Sequence, residues 1–301
     1  MAAFIPYDDR DGWIWLDGKM TPWREAKIHV LTHGLHYGAT VFEGERAYDG
    51  VVFKGSEHSK RLHRSAELVG YKVPVPVAEL DRIKLELMDK NGFPDCYVRA
   101  FAWRGSEMMG VSAQQASIRT CIAVWQWGNY FADKMKGIRV TMSDWKRPSP
   151  ETIPSAAKAA GLYMICTMSK HKAEAEGFAD ALMLDYRGYV AELTGANVFL
   201  IRDGAIHTPT PDCFLNGITR QTVIELAKAR GYEVIERHIT PDELSSFSEV
   251  FITGTAAEVT PVSEMAGHTY KPGAITEQLM TDYENLVRRK LSIESLKAKV
   301  A

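Results

Sequence analysis

The first part of the chain alternates short β-rich runs with two-residue turn signals. Asp17-Gly18 and Asp49-Gly50 each separate two such runs, and each pair predicts a β-hairpin because its residues tolerate the positive φ of a tight turn. Apolar residues then recur at helical spacing. This pattern predicts one helix capped by Ser56 and a second that ends at Asn91-Gly92. The runs 96–103 and 118–127 return to strand character, rich in branched and aromatic residues.

The second part of the chain mixes strands and helices, with hairpin turns at Arg187-Gly188 and Asp203-Gly204. The pattern predicts strands at 138–142, 181–184, 190–193, 198–201 and 250–253, and helices at about 156–176, 219–230 and 275–291. Strands joined by hairpins favour an α+β fold over a doubly wound parallel sheet. The weakly patterned stretch 128–137 predicts a loop between an N-terminal α/β domain at 1–127 and a C-terminal domain at 138–301.

Composition and charge exclude several classes of protein. Hydrophobic residues make up 46% and charged residues 25% of the 301 residues, which is typical of a globular protein. Since 36 basic residues balance 38 acidic ones, we expect no nucleic-acid partner. No apolar run is long enough to span a membrane, and Asp8 to Asp11 stand where an export signal would be apolar. These features predict a cytoplasmic protein with no membrane partner and four reduced cysteines.

Few local motifs point to chemistry on their own. His33 and His36 have the spacing of two metal ligands but no third ligand follows, so we expect hydrogen-bonding histidines and no metal. Lys158 lies among small residues at the start of the predicted helix, where a bulky cofactor would find room beside the amine. Burial would lower the pKa of that amine and make it nucleophilic. Helix propensity alone favours an exposed surface lysine over a buried nucleophile.

Five segments together resemble the fold-type IV pyridoxal-phosphate enzymes, in particular the branched-chain amino acid aminotransferases. The segments are HGLHYGATVFEG at 33–44, TIPSAAK at 152–158, ELTGANVF at 192–199, NGITR at 216–220 and TGTAAEVTP at 253–261. The resemblance implies a two-domain fold like that of D-amino acid aminotransferase. It also implies that pyridoxal 5'-phosphate binds at the domain interface, in a cofactor-binding C-terminal domain, and that the protein forms a homodimer at least.

The resemblance implies three catalytic residues. Lys158 matches the lysine that holds the cofactor as a Schiff base and, once released, moves the substrate's Cα proton. Glu192 matches the carboxylate that pairs with the pyridine nitrogen and keeps the ring an electron acceptor. Tyr163 matches the tyrosine whose hydroxyl binds the phenolic oxygen of the cofactor.

The cofactor's phosphate has four expected partners. Arg61 matches the phosphate-binding arginine of the family, whose planar fork suits a dianion. Ile218 and Thr219 begin a helix after Gly217, and the amides at a helix N-terminus bind phosphate. Thr255 adds a hydroxyl to the same group.

Tyr97 and Arg99 lie two apart on a predicted strand and therefore share one face. By resemblance, Tyr97 and the amides of Thr255-Ala256 hold the α-carboxylate of the substrate, whereas Arg99 holds the side-chain carboxylate of glutamate. An apolar pocket around that arginine would accept both an aliphatic side chain and glutamate. The side chains predicted to form it are Phe42, Tyr37, Trp127, Tyr130 and Met109.

The implied reaction is transamination of leucine, isoleucine or valine with 2-oxoglutarate, which yields the branched-chain 2-oxo acid and glutamate. Tyr97-Val98-Arg99 favours this reaction over that of the D-amino acid and (R)-amine aminotransferases, whose third residue is often Gln or Glu. An aminodeoxychorismate lyase-like enzyme and a non-catalytic binding protein of the same fold remain alternatives. Glu45 and Ala196 depart from the family pattern, and the preferred amino acid and a biosynthetic or degradative role stay open.

Overall fold

The structure is a computed structural model and describes residues 5–128 and 134–300. The chain divides into two compact units, Met1–Gly128 with Ala157–Gly161, and Asn129–Ala156 with Leu162–Ala301. Lys158 is therefore part of the first unit. The predicted loop at 128–137 lies partly outside the described residues, and the predicted domain boundaries stay a prediction.

Antiparallel strands dominate the first unit. Its strands are β1 Trp13–Leu16, β2 Lys19–Pro22, β3 Val41–Phe42, β4 Glu45–Tyr48, β5 Val51–Val52, β6 Cys96–Arg104 and β7 Ile118–Gln126. Within residues 5–128 they form a seven-stranded sheet in the order β2-β1-β7-β6-β4-β5, with β3 paired to β6. Both predicted hairpins are confirmed, since Asp17, Gly18, Asp49 and Gly50 all have positive φ.

Helices cover this sheet. They are α1 His33–Tyr37, α2 Gly55–Leu68 and α3 Val77–Asn91. The latter two pack against each other and against β6 and β7. The predicted end of α3 is confirmed, because Gly92 has the left-handed conformation that ends a helix. The prediction that Ser56 caps α2 is wrong: Lys54, at φ 49°, is the N-cap, and Ser56 lies in the first turn.

The second unit carries the remaining named elements. Its strands are β8 Ile138–Met142, β9 Asp180–Leu184, β10 Val190–Leu193, β11 Asn197–Arg202, β12 Ala205–Pro209, β13 Val234–Arg237, β14 Glu249–Gly254, β15 Glu258–Met265 and β16 His268–Thr269. Its helices are α4 Met164–Ala175, α5 Ile218–Ala229, α6 Ala274–Val287 and α7 Ile293–Val300. The hairpins at Arg187-Gly188 and Asp203-Gly204 are confirmed.

Sheet pairing closes part of the second unit into a ring. The order is β10-β9-β8-β15-β14-β11-β12-β13 within the described residues, and β10 also pairs with β11. Val140, Leu182, Val198, Val250 and Val262 belong to one buried apolar cluster that fills this region. Most pairs are antiparallel, whereas β8 is parallel to β9 and β15, and β12 is parallel to β13. This mixture of hairpins and separate helices confirms the predicted α+β class.

The predicted helix at 156–176 is wrong in its first part. A 3-10 turn at Ala160–Tyr163 precedes α4, which begins only at Met164, so Lys158 is not helical. Backbone hydrogen bonds explain the difference: Phe42 N donates to Lys158 O, and Ala160 N donates to Thr40 O. The segment therefore pairs with residues 38–42 of its own unit, which overrides the helix propensity of its alanines.

Two further predictions concern the state of the cysteines and the presence of membrane-spanning segments. The four cysteines are all buried free thiols. Among the helices of the described residues, none combines the length and the apolar character needed to cross a membrane.

Candidate active site

Lys158 is docked by its backbone on two elements of the first unit. Its N–H donates to Ser65 Oγ on α2 at 3.0 Å, and its carbonyl accepts from Phe42 N at 3.0 Å. Val41 and Ala159 also form a β-bridge. These contacts fix the backbone position from which the Lys158 side chain extends, in a segment that is not helical.

The Lys158 amine has the electronic character that a Schiff-base lysine requires. Burial, followed by repulsion from Arg61, lowers the pKa of Lys158 to about 8. Its Nζ lies 4.9 Å from the centre of the Phe42 ring. An amine with this pKa has a far larger neutral fraction near neutral pH than an ordinary lysine, and the neutral form can attack an aldehyde carbon.

Arg61 makes a two-point ion pair in this structure. Its Nε donates to Glu43 Oε1 at 2.7 Å and its Nη2 donates to Glu43 Oε2 at 2.6 Å. His58 Nδ1 lies 2.7 Å from the same Oε2, on a carboxylate that is fully buried. Burial raises the pKa of Glu43, but Arg61 and His58 more than offset it, so the pKa is below its ordinary value. Glu43 is therefore ionised, and the phosphate-binding role of Arg61 stays a prediction.

Aromatic side chains from β3, from β7 and from the residue after β7 flank the predicted carboxylate-binding pair. Arg99 Nη2 donates to the Tyr97 hydroxyl at 3.3 Å, and the Arg99 guanidinium lies 4.8 Å from the Phe42 ring centre. The Tyr97 ring lies 4.9 Å from the rings of both Trp125 and Trp127. The structure thus brings together five of the predicted residues, which are Phe42, Tyr97, Arg99, Trp127 and Lys158.

Gly44 explains why the Tyr97 hydroxyl occupies its position. A Cβ at residue 44 would lie 2.0 Å from that oxygen, so only glycine leaves room for it.

Two other predicted pocket residues, Tyr37 and Met109, lie at exposed positions, and the Tyr37 ring stacks on His33 at 4.4 Å. Tyr130 lies outside the described residues. Their roles stay predictions.

Glu192 is the buried carboxylate of the second unit. Its Oε2 accepts from Asn197 Nδ2 at 3.1 Å, across the turn between β10 and β11. Its Oε1 lies 3.3 Å from Nε of Arg147, whose side chain is also buried. Burial lowers the pKa of Arg147, but attraction to Glu192, together with smaller contributions from Cys166, Tyr163 and Cys213, more than offsets this, so the pKa is raised. A nearby cation favours the charged form of a buried carboxylate, which can accept a hydrogen bond from a protonated ring nitrogen.

The start of α5 lies next to this carboxylate through Asn197. Asn197 Nδ2 also donates to Leu215 O at 3.0 Å, and Gly217 is the extended N-cap residue of α5. A Cβ at Gly217 would lie 2.3 Å from Asn197 Oδ1, so the close approach requires glycine. Ile218 and Thr219 form the first turn, whose amides have no partner within the helix and are suited to an anion.

Tyr163 and Ala256 line one cavity of the second unit, with a volume of about 400 Å³. Gly195 and Ala196, which follow Glu192 in the same sequence motif, also line it. Thr255 lies between β14 and β15, in the turn that also contains Ala256. The predicted residues of this unit thus cluster around the ends of β10, β14 and α5.

Sequence reasoning missed five side chains of the site. Glu43, Trp125, Arg147 and Asn197 contact predicted residues, and His58 contacts Glu43. Glu43 and Asn197 stand inside the segments that carried the resemblance, so their position was the available signal. The other three carry no local signal, because their partners lie far away in the sequence. His33 and His36 are hydrogen-bonding histidines, with Nε2 3.0 Å from Gly110 O and 2.9 Å from Val30 O, respectively.

Comparison with known proteins gives one matching family model. Residues 40–265 match the model of amino-transferase class IV. That range contains Lys158, Glu192 and all of the phosphate-binding candidates.

Curated and solved relatives match nearly the whole chain. A branched-chain-amino-acid aminotransferase of Pseudomonas aeruginosa is 40% identical over 291 residues, which cover 94% of this chain and 95% of that protein. The crystal structure of the Escherichia coli branched-chain amino acid aminotransferase has a TM-score of 0.91 and 36% identity, covering 94% and 97%. The T.th. branched-chain amino acid aminotransferase, complexed with N-(5'-phosphopyridoxyl)-L-glutamate, has a TM-score of 0.89 and 38% identity, covering 94% and 96%.

Proposed function

Because the chain belongs to the class IV aminotransferases, we propose that it transfers the amino group of leucine, isoleucine or valine to 2-oxoglutarate, with pyridoxal 5'-phosphate as cofactor. The observation that carries this proposal is the 40% identity to a branched-chain-amino-acid aminotransferase across 94% of the chain. The solved relative that carries a phosphopyridoxyl-glutamate adduct supports both the cofactor and glutamate. The products are the branched-chain 2-oxo acid and L-glutamate.

The residues present fit this cofactor. The Lys158 amine, with its pKa lowered to about 8, is suited to a covalent bond with the aldehyde. Glu192 is a buried carboxylate beside the Arg147 guanidinium and is proposed to face the pyridine nitrogen, and Tyr163 is the predicted partner of the phenolic oxygen. Arg61, the amides of Ile218 and Thr219, and the Thr255 hydroxyl are proposed to hold the phosphate. When bound, pyridoxal phosphate supplies an electron-accepting ring conjugated to the substrate's Cα.

The chain's own residues then direct the proton transfers. Lys158 Nζ would act as the general base that takes the Cα proton of the substrate, and its protonated form would then act as the general acid. A pKa near 8 lets the amine both accept and donate that proton around neutral pH. Glu192 would accept a hydrogen bond from the protonated ring nitrogen, and the nearby Arg147 guanidinium favours the charged form of the Glu192 carboxylate.

Substrate recognition is proposed for the aromatic group of the first unit. Tyr97 and the amides of Thr255-Ala256 would orient the α-carboxylate. Phe42 and Trp127 would exclude water and contact an aliphatic side chain. Arg99, which is held by the Tyr97 hydroxyl and lies over Phe42, would pair with the side-chain carboxylate of glutamate. Tyr130 is proposed for the same pocket on the resemblance alone.

We also propose that the protein is at least a homodimer, and that Tyr37 and Met109 serve a neighbouring copy. Val30, Leu35 and Val111 are 74%, 64% and 90% exposed, which is unusual for apolar side chains. A hydrogen bond from His33 Nε2 to Gly110 O ties together the two segments that carry them. Analytical ultracentrifugation should show a dimer that Leu35→Glu dissociates. A wild-type monomer at micromolar concentration would refute this part. The cytoplasmic location stays a prediction.

One substrate panel tests the proposed reaction. With 2-oxoglutarate as acceptor, leucine, isoleucine and valine should yield glutamate, whereas D-alanine and an (R)-amine should not. Preferred use of a D-amino acid or amine would identify the related aminotransferases, and product release without glutamate would identify a lyase. Borohydride reduction followed by peptide mass spectrometry should place a pyridoxyl group on Lys158. Lys158→Ala should lack both the adduct and turnover, and turnover in that variant would overturn the assignment.

A further inference from the structure

The ion pair between Arg61 and Glu43 is built more rigidly than a surface pair. Both nitrogens of the fork engage both carboxylate oxygens, at 2.7 and 2.6 Å, which fixes the plane of the guanidinium. The Glu43 side chain is fully buried and the Arg61 side chain is 16% exposed. His58, one helical turn before Arg61 on α2, holds Oε2 of the same carboxylate. Neither partner can therefore turn without breaking several contacts.

This ion pair also acts on the Lys158 amine. The side chains whose charges influence that amine are Arg61 from α2, Glu43 from the segment after β3, and Tyr97 and Arg99 from β6. Arg61 and Arg99 lower the pKa of Lys158, whereas Glu43 and Tyr97 raise it. The backbone of Lys158 is docked on the same two elements, through Ser65 and Phe42. The two charges of the ion pair therefore have opposite effects on the pKa of Lys158.

We propose that Glu43 and His58 are positioning residues that hold the Arg61 guanidinium in one orientation and balance its charge beside Lys158. The inference rests on the proposed function, because it concerns the arginine and lysine assigned there to the cofactor. Glu43 compensates Arg61 from the buried side, and His58 prevents the carboxylate from rotating. The pair thereby adjusts the pH at which Lys158 becomes a nucleophile, in addition to the larger effect of burial.

The test neutralises Glu43 and Arg61 in separate variants, which should shift the pKa of Lys158 in opposite directions. In the cofactor-free protein, the pH dependence of Lys158 modification by an amine-selective reagent, followed by peptide mass spectrometry, reports the pKa of this amine. The wild-type midpoint should lie near 8. Glu43→Gln should lower it by about one pH unit, because Arg61 is then uncompensated. Arg61→Gln should raise it by a similar amount, because Glu43 is then uncompensated.

A merely structural role gives a different result. If Glu43→Gln only loosened the unit, water would reach Lys158 and its midpoint would rise toward the ordinary lysine value, as in Arg61→Gln. Such a rise, or an unchanged midpoint in both variants, would overturn the proposal. Lys60→Gln is the matched control, since Lys60 is an exposed cation next to Arg61 on the same helix and its loss should leave the midpoint unchanged.

His58 provides a second arm that does not depend on the fold of the Glu43 variant. His58→Asn retains a donor near the position of Nδ1 and should preserve the affinity for pyridoxal phosphate, whereas His58→Leu should weaken it about 10-fold. Equal affinities for the two variants would contradict the positioning role. The borohydride adduct on wild-type Lys158 reports the proposed function separately, so its presence with unchanged midpoints would reject only the positioning role.

Discussion

A buried ion pair in the first unit gives a prediction whose size follows from the structure. Lys84 Nζ lies 2.7 Å from Glu45 Oε2, and the side chains are 1% and 0% exposed. At an effective dielectric constant of about 20, two unit charges at this distance attract by about 6 kcal/mol. Removing both ions from water costs several kcal/mol each, so the pair as a whole contributes little net stability. Removing one partner alone leaves a buried charge without compensation.

Lys84→Met should therefore reduce the free energy of unfolding by about 3–5 kcal/mol, and the Tm by roughly 10–20 °C. The double variant Glu45→Leu/Lys84→Met should recover most of that loss, because two apolar side chains of similar volume replace the pair. Differential scanning calorimetry of the cofactor-free proteins measures both. A loss below about 1 kcal/mol for Lys84→Met, or a double variant no more stable than the single one, would refute this account of the pair.

The pH dependence supplies an internal check. Burial raises the pKa of Glu45, and Lys84 opposes that rise, so Lys84→Met should raise the pKa further. A carboxyl whose folded pKa exceeds its unfolded value of 4.5 destabilises the fold once the pH passes the unfolded pKa. The loss should thus be smaller at pH 5 than at pH 8. Arg82→Met, which breaks exposed ion pairs on the same helix, should cost less than about 1 kcal/mol at either pH.

Three further predictions concern the proposed active site. Glu192→Gln should lower kcat by about 100-fold with little change in KM, because the ring nitrogen loses its anionic partner; equal losses in both would contradict that role. Arg99→Ala should slow the glutamate half-reaction at least about 10-fold more than the leucine one in stopped-flow assays, and the same slowing of both would remove Arg99 from side-chain recognition. Gly217→Ala should weaken pyridoxal phosphate binding about 10-fold by displacing Asn197, whereas Gly128→Ala, whose Cβ meets no neighbour, should not; similar affinities would refute the need for glycine at 217.

Local signals were sufficient for most secondary structure. Asp17-Gly18 and Asp49-Gly50 predicted their hairpins because the turn conformation is a property of the two residues themselves. The long strands β6 and β7 followed from their content of branched and aromatic residues. The same local signals gave a wrong prediction for the segment around Lys158, because its hydrogen-bond partners are Phe42 and Ser65, about a hundred residues earlier in the chain. Such pairing has no local signature.

The sequence pattern also contained a signal for the buried ion pair between Lys84 and Glu45. That signal appears only when the two positions are considered together. Lys84 stands at helical spacing with Leu80, Ile83 and Leu87, so it occupies the apolar face of α3 rather than the solvent face. A cation at such a position needs a buried anion, because an uncompensated charge there would be too costly. Glu45, which the resemblance marked as a departure from the family pattern, is that anion. The buried cation Lys84 and the buried anion Glu45 therefore account for each other, whereas either one alone would be a destabilising buried charge.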